Sequence, residues 1–375
     1  MTDLAVASPT VTVADRVWPH ARIVGWWAAG RTLVLVPAAL IHFFGPRALL
    51  GHDEQAHVLG VLGAWDGRWY DIVAADGYLP VPGRQSDPAF FPLYPLLLRE
   101  VHSLGIGYVA AGLLLSNIAF LFALLAFAAL TRELFGAQMA HRGTVYLALF
   151  PLGFVFSMAY PESLVLCAIC LAALAAVRGH WIPAAVLVAG GTLARPETIF
   201  VALPLAALAL RERDARRRGL AFGAVVAPFA ALGSFALYLG LTLHDPLAWT
   251  HAERAWGRQF TPFGLATAIE KLPQALAGNA WVARDVVFFL VYLALLVAAL
   301  RFGIPRAWVL AGAAVVVLPT FSGSFHSIGR FGLLAPAVFW GLAAVGRSRG
   351  MDAAIRVAAA VLLVAGTFSL PYVFP

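Results

Sequence analysis

Apolar runs separated by short polar breaks fill most of the 375-residue chain. They fall at about 22–44, 106–130, 143–160, 162–178, 181–195, 197–210, 219–243, 283–301, 306–322, 328–346 and 353–373. None shows the period-two alternation of a barrel strand, and a helix of about 20 residues spans the ~30 Å hydrocarbon core of a bilayer. The pattern predicts an all-α polytopic membrane protein, a single integral domain over 1–375 with about 11 transmembrane helices. The first run is too long for a signal-peptide core and no A-x-A-like site follows it, so it is expected to stay as a span. The runs 181–195 and 197–210 are shorter than a crossing needs and meet at Arg195-Pro196-Glu197. A charged, proline-broken tip at membrane depth is tolerated only where protein buries it or a wet cavity receives it.

Two longer polar segments, 45–105 and 244–282, interrupt this pattern. In the first, Val58, Leu62, Trp65, Trp69 and Ile72 recur at helical spacing, which predicts an amphipathic helix lying in the membrane interface. Asp66 then shares a face with Leu62 and Tyr70 and projects near the membrane boundary, while Arg68 and Asp71 pair on the wet side. Downstream, Pro88, Pro92 and Pro95 are expected to prevent a regular helix. Phe90, Phe91 and Tyr94 read as interface aromatics, on either a loop dipped into lipid or a platform shaping a groove for a lipid-linked substrate.

Composition agrees with a membrane protein: 61% of residues are hydrophobic, 12% are charged, and mean hydropathy is +0.83, against about 25% charged in soluble domains. The net charge of +7 is scattered over short loops, which argues against nucleic acid. If the spans alternate, the loops TRELFGAQMAHR, VRGH, RERDARRRG, RFGIPR and GRSRGMDAAIR put 13 arginines on one side, joined by Arg16 and Arg22 of the N-terminal tail. The other side holds 10 Lys/Arg and 13 of the 19 carboxylates. By the positive-inside rule the N-terminus is cytoplasmic and the C-terminus is outside. WDGRWYDIVAADGY, AYPES, ARPET, HDPLAWTHAERAWGRQFTPF and SFHSIGRF then share the extracytoplasmic face. Cys167 and Cys170 sit inside one apolar run without the further ligands zinc requires, so they read as small apolar side chains.

Ionisable groups facing a membrane cavity are functional hypotheses by default, and Asp66, Glu162, Arg195, Glu197 and Arg330 meet that description, as does Arg31 unless it pairs structurally with a carboxylate. One carboxylate with several cations suits glycosyl transfer from a polyprenyl-phosphate sugar. Phosphate leaves without a general acid, a single base deprotonates the acceptor hydroxyl, and arginines stabilise the growing negative charge. A glycosidase would need two carboxylates at a defined separation. Asp66 is the expected base, with Arg195 and Arg258 at the donor phosphate and His326 and Arg330 at phosphate or sugar. Around HAERAWGR the residues either line the donor headgroup or form an interfacial helix with a wet face. Asp71 and Asp76 read as solvated or turn-forming, and no spacing supports a metal. The rival function is a transporter or flippase of a lipid-linked solute, which would also use broken helices. It would usually carry internal repeats, and the WDG and FFP segments have no second copy.

WDGRWYDIVAADGY followed by AFFPLYPLLLR resembles the first lumenal loop of the GPI mannosyltransferase 2 (PIG-V-like) family, and AYPESLVL, LARPETIF, HAERAWGR and SFHSIGRF are similar to its later segments. The resemblance covers about 20–345 and implies a GT-C glycosyltransferase that uses polyprenyl- or dolichyl-phosphate mannose without a cofactor. It puts the catalytic carboxylate at Asp66. The expected substrate-binding positions are Trp65, Arg68, Tyr70, Tyr160, Glu162, Arg195, Glu197, Arg258, His326 and Arg330. Trp69 stands where some relatives have histidine. The Ala-, Arg- and Pro-rich composition is that of a bacterial cell-membrane protein, for which a GPI acceptor is not expected; a glycolipid, glycan or protein hydroxyl takes its place.

Overall fold

The computed structural model describes residues 13–79, 85–278 and 280–373. Residues 1–12, and the side chain of Arg16 counted with the N-terminal tail, lie outside the described part. Among the described residues all regular structure is helical. The chain begins with α1 (Val13–Phe44), then crosses the first long polar segment through α2 (His52–Ala56), α3 (Asp66–Asp76) and α4 (Leu93–Ser103). Next come α5 (Tyr108–Phe135), α6 (Ala137–Leu149), α7 (Glu162–Val177), α8 (Trp181–Ala194), α9 (Ala202–Ala209) and α10 (Ala215–Leu243). The second polar segment forms α11 (Ala248–Ala255), α12 (Gly264–Glu270) and α13 (Leu272–Gly278). The chain ends with α14 (Ala280–Arg301), α15 (Arg306–Val317), α16 (Ile328–Phe331), α17 (Pro336–Val345) and α18 (Arg349–Phe368).

Each of the eleven apolar runs forms helix, but they differ in reach. Among the described residues five helices are long and apolar enough to cross a membrane, in α1, α5, α10, α14 and α18, and a sixth crossing results if the pair Ile328–Leu334 and Pro336–Val345, bent by 84°, is one broken span. The remaining runs are shorter because backbone turns interrupt them. The run expected at 143–160 ends its α-helix at Leu149 and continues as a 3-10 turn, Gly153–Ser157. The tip between α8 and α9 is likewise a 3-10 turn, Pro196–Val201. These short helices sit inside the bundle, where α5 packs on α7, α7 on α8, α8 on α10, and α14 on α17.

The amphipathic helix expected across 58–72 is two pieces. Gly60–Gly63 is a buried 3-10 turn, and Trp65, at φ 60°, reverses the chain so that α3 starts at Asp66. Leu62 therefore shares no helix with Asp66, although Tyr70 does. The prolines also act differently from expectation. Pro92 is the N-cap of α4 and Pro95 lies in its first turn, where a missing N–H costs nothing because no intrahelical acceptor awaits it. Phe90, Phe91 and Tyr94 are buried rather than dipped into lipid. Phe90 stacks on Trp69 with ring centroids 5.7 Å apart and meets Trp256 edge-on at 6.1 Å. This aromatic cluster ties α3 to the segment that follows α11.

The arginine-rich loops gather at one end of the bundle. Arg178 pairs with Glu133, Trp181 Nε1 donates to Glu212, Arg142 Nε donates to the Ala343 carbonyl, and Arg347 lies over the Phe302 ring. Among the described residues Arg31 finds no carboxylate. Its guanidinium donates to the Gly153 carbonyl and, at 2.8 Å, to Ser157 Oγ, and stacks 4.4 Å over Phe120. Its side chain is buried inside the bundle.

Candidate active site

Five polar segments distant in sequence meet at the other end. Asp66 is the first residue of α3, where the helix dipole favours a carboxylate. Its backbone N–H donates to Tyr160 Oη at 3.1 Å, and its Oδ2 lies 2.7 Å from Arg330 Nη1. Glu162, fully buried as the first residue of α7, accepts from Arg195 at 2.5 Å and stands 3.6 Å from Arg330. Arg195 also binds Glu197 in two-pronged fashion, with both contacts at 3.1 Å. The result is a continuous chain of charges, Glu197–Arg195–Glu162–Arg330–Asp66, in which each buried charge has an opposite neighbour, as burial requires.

Arg330 is held from its other side as well. Its Nη2 donates to Ser327 Oγ at 3.1 Å, and the same hydroxyl accepts from Arg258 at 2.9 Å. Arg258 in turn pairs with Glu253 at 3.2 Å. Two residues absent from the sequence reading build this corner. Asp285, fully buried near the start of α14, accepts from the backbone N–H of Ser327 at 2.7 Å and of Gly329 at 3.3 Å, and Arg284 stands 3.5 Å from its carboxylate. Tyr292 Oη donates to the Gly329 carbonyl at 2.7 Å. Together these bonds fix the SFHSIGRF tip that carries Arg330. A signal for them was present: Arg284-Asp285 is an ionisable pair at the head of an apolar run.

A cavity of about 750 Å³ opens onto Asp66, within the size range of small-molecule sites. Trp65, just before α3, and Asp66, Arg68 and Trp69, within it, line the cavity, with Trp256 and Arg258 from beyond α11, Trp281 from α14, and His326 from the tip. Burial, and next the nearby Arg258 guanidinium, hold the His326 imidazole below its ordinary value. Of the expected site residues, Trp65, Asp66, Arg68, Arg258 and His326 thus share the cavity wall. Tyr160, Glu162, Arg195, Glu197 and Arg330 form a layer behind it, and Tyr70 is buried against Phe90 and Tyr94. Arg195, expected at a donor phosphate, is instead bracketed by two carboxylates. His251, on α11, pairs with Asp245 away from this cluster. Among the described residues no group of three or more His, Cys, Asp or Glu side chains converges as a metal site would.

No family model and no curated protein sequence matches the chain. Solved structures do resemble it. The apo oligosaccharyltransferase of Archaeoglobus fulgidus superposes with TM-score 0.55 at 13% identity, over 96% of this chain and 56% of that one. ArnT of Cupriavidus metallidurans, solved bound to undecaprenyl phosphate, superposes with TM-score 0.50 at 16% identity, over 92% of this chain and 63% of that one. The chain therefore spans less than two thirds of the length of either. Together with the apolar helices, the likeness shows a multi-pass membrane protein with the fold of the GT-C glycosyltransferases.

Proposed function

We propose that the protein is an inverting glycosyltransferase that moves a hexose, mannose by the motif resemblance, from a polyprenyl-phosphate sugar to an acceptor hydroxyl. The observation that carries the reading is one carboxylate, Asp66, on the wall of a cavity that also presents Arg68, Arg258, His326 and four tryptophans. Asp66 takes the proton from the acceptor hydroxyl as its oxygen attacks the anomeric carbon. The bond from that carbon to the phosphate oxygen breaks on the opposite face, and the lipid phosphate leaves with the electron pair. Arg258 and His326 receive the phosphate charge, which charge-assisted hydrogen bonds stabilise as it grows. The tryptophans suit the apolar faces of a sugar and the start of a prenyl tail. Arg330 holds Asp66 in place, and Glu162, Arg195 and Glu197 hold Arg330.

The GT-C fold, and a neighbour solved with undecaprenyl phosphate, support the lipid-linked donor class. Mannose and the PIG-V-like kinship rest on WDGRWYDIVAADGY and AFFPLYPLLLR. In this reading the whole chain is one integral domain, and segments 45–105 and 244–282 face the extracytoplasmic side of a bacterial cell membrane, opposite the arginine-rich loops. The test is transfer of radiolabelled sugar from polyprenyl-phosphate mannose by the purified protein in membranes, against a crude pool of lipid and protein acceptors. Asp66→Asn should fold and lose about 10²- to 10⁴-fold in rate. Arg258→Ala should raise the donor KM roughly tenfold or more with little effect on the acceptor. Full activity of Asp66→Asn removes it as the base. No transfer by a folded protein that still binds the lipid phosphate favours the transporter reading.

A further inference from the structure

Ser327 is fully buried and stands behind the wall of the Asp66 cavity. Its Oγ accepts from Arg258 Nη2 at 2.9 Å and from Arg330 Nη2 at 3.1 Å. A hydroxyl oxygen has two lone pairs, and here each meets a different guanidinium. Two like charges are thereby held within about 6 Å of each other, a spacing that their repulsion opposes. Each is offset by its own carboxylate, Glu253 for Arg258 and Asp66 for Arg330. The hydroxyl therefore bridges two ion pairs. In the proposed reaction one of them meets the donor phosphate and the other carries the base.

The backbone beneath this hydroxyl is strained. Ser327 adopts φ 67° and ψ 6°, in the left-handed region that glycine enters freely and a β-carbon resists. The turn itself does not call for serine. Asp285 holds it through the Ser327 N–H, and the Ser327 carbonyl accepts from the backbone N–H groups of Arg330 and Phe331. Any residue supplies those main-chain atoms, glycine at the least cost. Only the bridge between the two arginines requires the side chain, and backbone strain kept at such a point signals a functional demand.

Arg258 shows what the demand is. Its Nη1 donates to Glu253 at 3.2 Å and its Nη2 to Ser327. A guanidinium is planar, so anchoring both ends fixes its plane before a phosphate arrives, and the cost of ordering it does not fall on binding. With the hydroxyl removed, the Glu253 contact becomes a pivot.

We propose that Ser327 is a positioning residue for the donor phosphate, its hydroxyl fixing the Arg258 guanidinium on the cavity wall at a set distance from Arg330 and Asp66. The assignment rests on the reading of Arg258 as the phosphate-binding cation, and it holds whether or not transfer follows binding.

Equilibrium binding of polyprenyl-phosphate mannose to the full chain in detergent, beside sugar transfer in membranes, tests it. Ser327→Gly removes the hydroxyl and relieves the backbone. Its donor Kd and donor KM should rise roughly 3- to 10-fold while the acceptor KM stays within about twofold. Ser327→Ala should lose as much donor binding yet melt at a lower temperature than Ser327→Gly, because it keeps the β-carbon. Donor binding then follows the hydroxyl and stability follows the backbone. In an Arg258→Ala background Ser327→Gly should add less than about twofold, since the group it positions is gone. Unchanged donor binding in Ser327→Gly overturns the proposal, as does a full additional loss in the Arg258→Ala background. Losses that rank with melting temperature, or that fall equally on donor and acceptor, would make the residue a structural one and also overturn it. A wild type that binds the lipid but transfers no sugar, with the same losses in the variants, would overturn the transferase reading and leave this assignment standing. A folded wild type that binds no lipid phosphate overturns both.

Discussion

Two non-glycine residues with positive φ adjoin the Asp66–Arg330 ion pair: Trp65 at 60°, immediately before Asp66, and Ser327 at 67°, three residues before Arg330. Such backbone costs about 1–3 kcal/mol each and persists where the surroundings over-determine it. Here Tyr160 fixes one side and Asp285 the other, through hydrogen bonds to the backbone of Asp66, Ser327 and Gly329. His326 belongs to the same strained tip and yields a pH prediction. Because its folded imidazole titrates below the ordinary value of 6.5, the unfolded chain binds more protons across that window, and stability rises with pH there. The contribution is complete above the ordinary value and is lost as pH falls through it toward the folded one. Melting temperature in detergent should fall between about pH 7.5 and about pH 5.5, and His326→Gln should remove part of that slope. An unchanged slope in the variant would place the titration elsewhere. At this scale the sequence was informative about residue type: Asp66, Glu162, Arg195, Glu197 and Arg330 are conspicuous as charges in an apolar chain. Which charge neutralises which was not legible, because Arg195 and Glu162 are 33 residues apart and only packing brings them together.

Helical spacing alone misled where backbone geometry took precedence. The stripe from Val58 to Ile72 has the period of one helix, yet Trp65 breaks it, and the break gives Asp66 the first position of α3. Had the helix continued through it, Asp66 would lie in a helix interior, away from the dipole and the Tyr160 hydroxyl. The bent pair at 328–345 is a comparable case, read from its apolar run as one span. Close packing fixes the bend. A Cβ on Gly332 would lie 2.1 Å from Tyr292 Cε2, so the helix approaches the ring as only glycine permits. Gly332→Ala should destabilise the protein by about 1–3 kcal/mol, read as a lowered melting temperature. Because Arg330 is two residues away, sugar transfer should fall as well. A variant with wild-type stability would mean that the tip relaxes freely and that Tyr292 does not define it.

For the whole molecule, the two ends of the bundle differ in chemistry, with arginine loops at one and the Asp66 cavity at the other. Both native cysteines, Cys167 and Cys170, are buried and free, so the chain suits labelling at introduced thiols. In intact cells, a membrane-impermeant maleimide should modify Gln85→Cys, beside the Asp66 cavity, and leave Arg349→Cys unreacted until the membrane is opened. The reverse pattern would invert the orientation drawn from the positive-inside rule.

The chain by itself determined the solvent in which it folds, since a protein with so few charges and so many long apolar runs must bury its backbone polarity in helices. It also determined that its arginine-rich loops and its acidic and aromatic segments are separate stretches, because charge bias is written locally along the chain. Tertiary structure alone decided which helices reach across and which stop inside the bundle, since reach depends on turns that only packing stabilises. It likewise decided that Asp66, Arg68, Arg258 and His326 share a cavity wall while Arg195 and Glu197 stand behind it. Those partnerships join residues far apart in sequence, and a carboxylate has no address for its partner until the helices between them have packed.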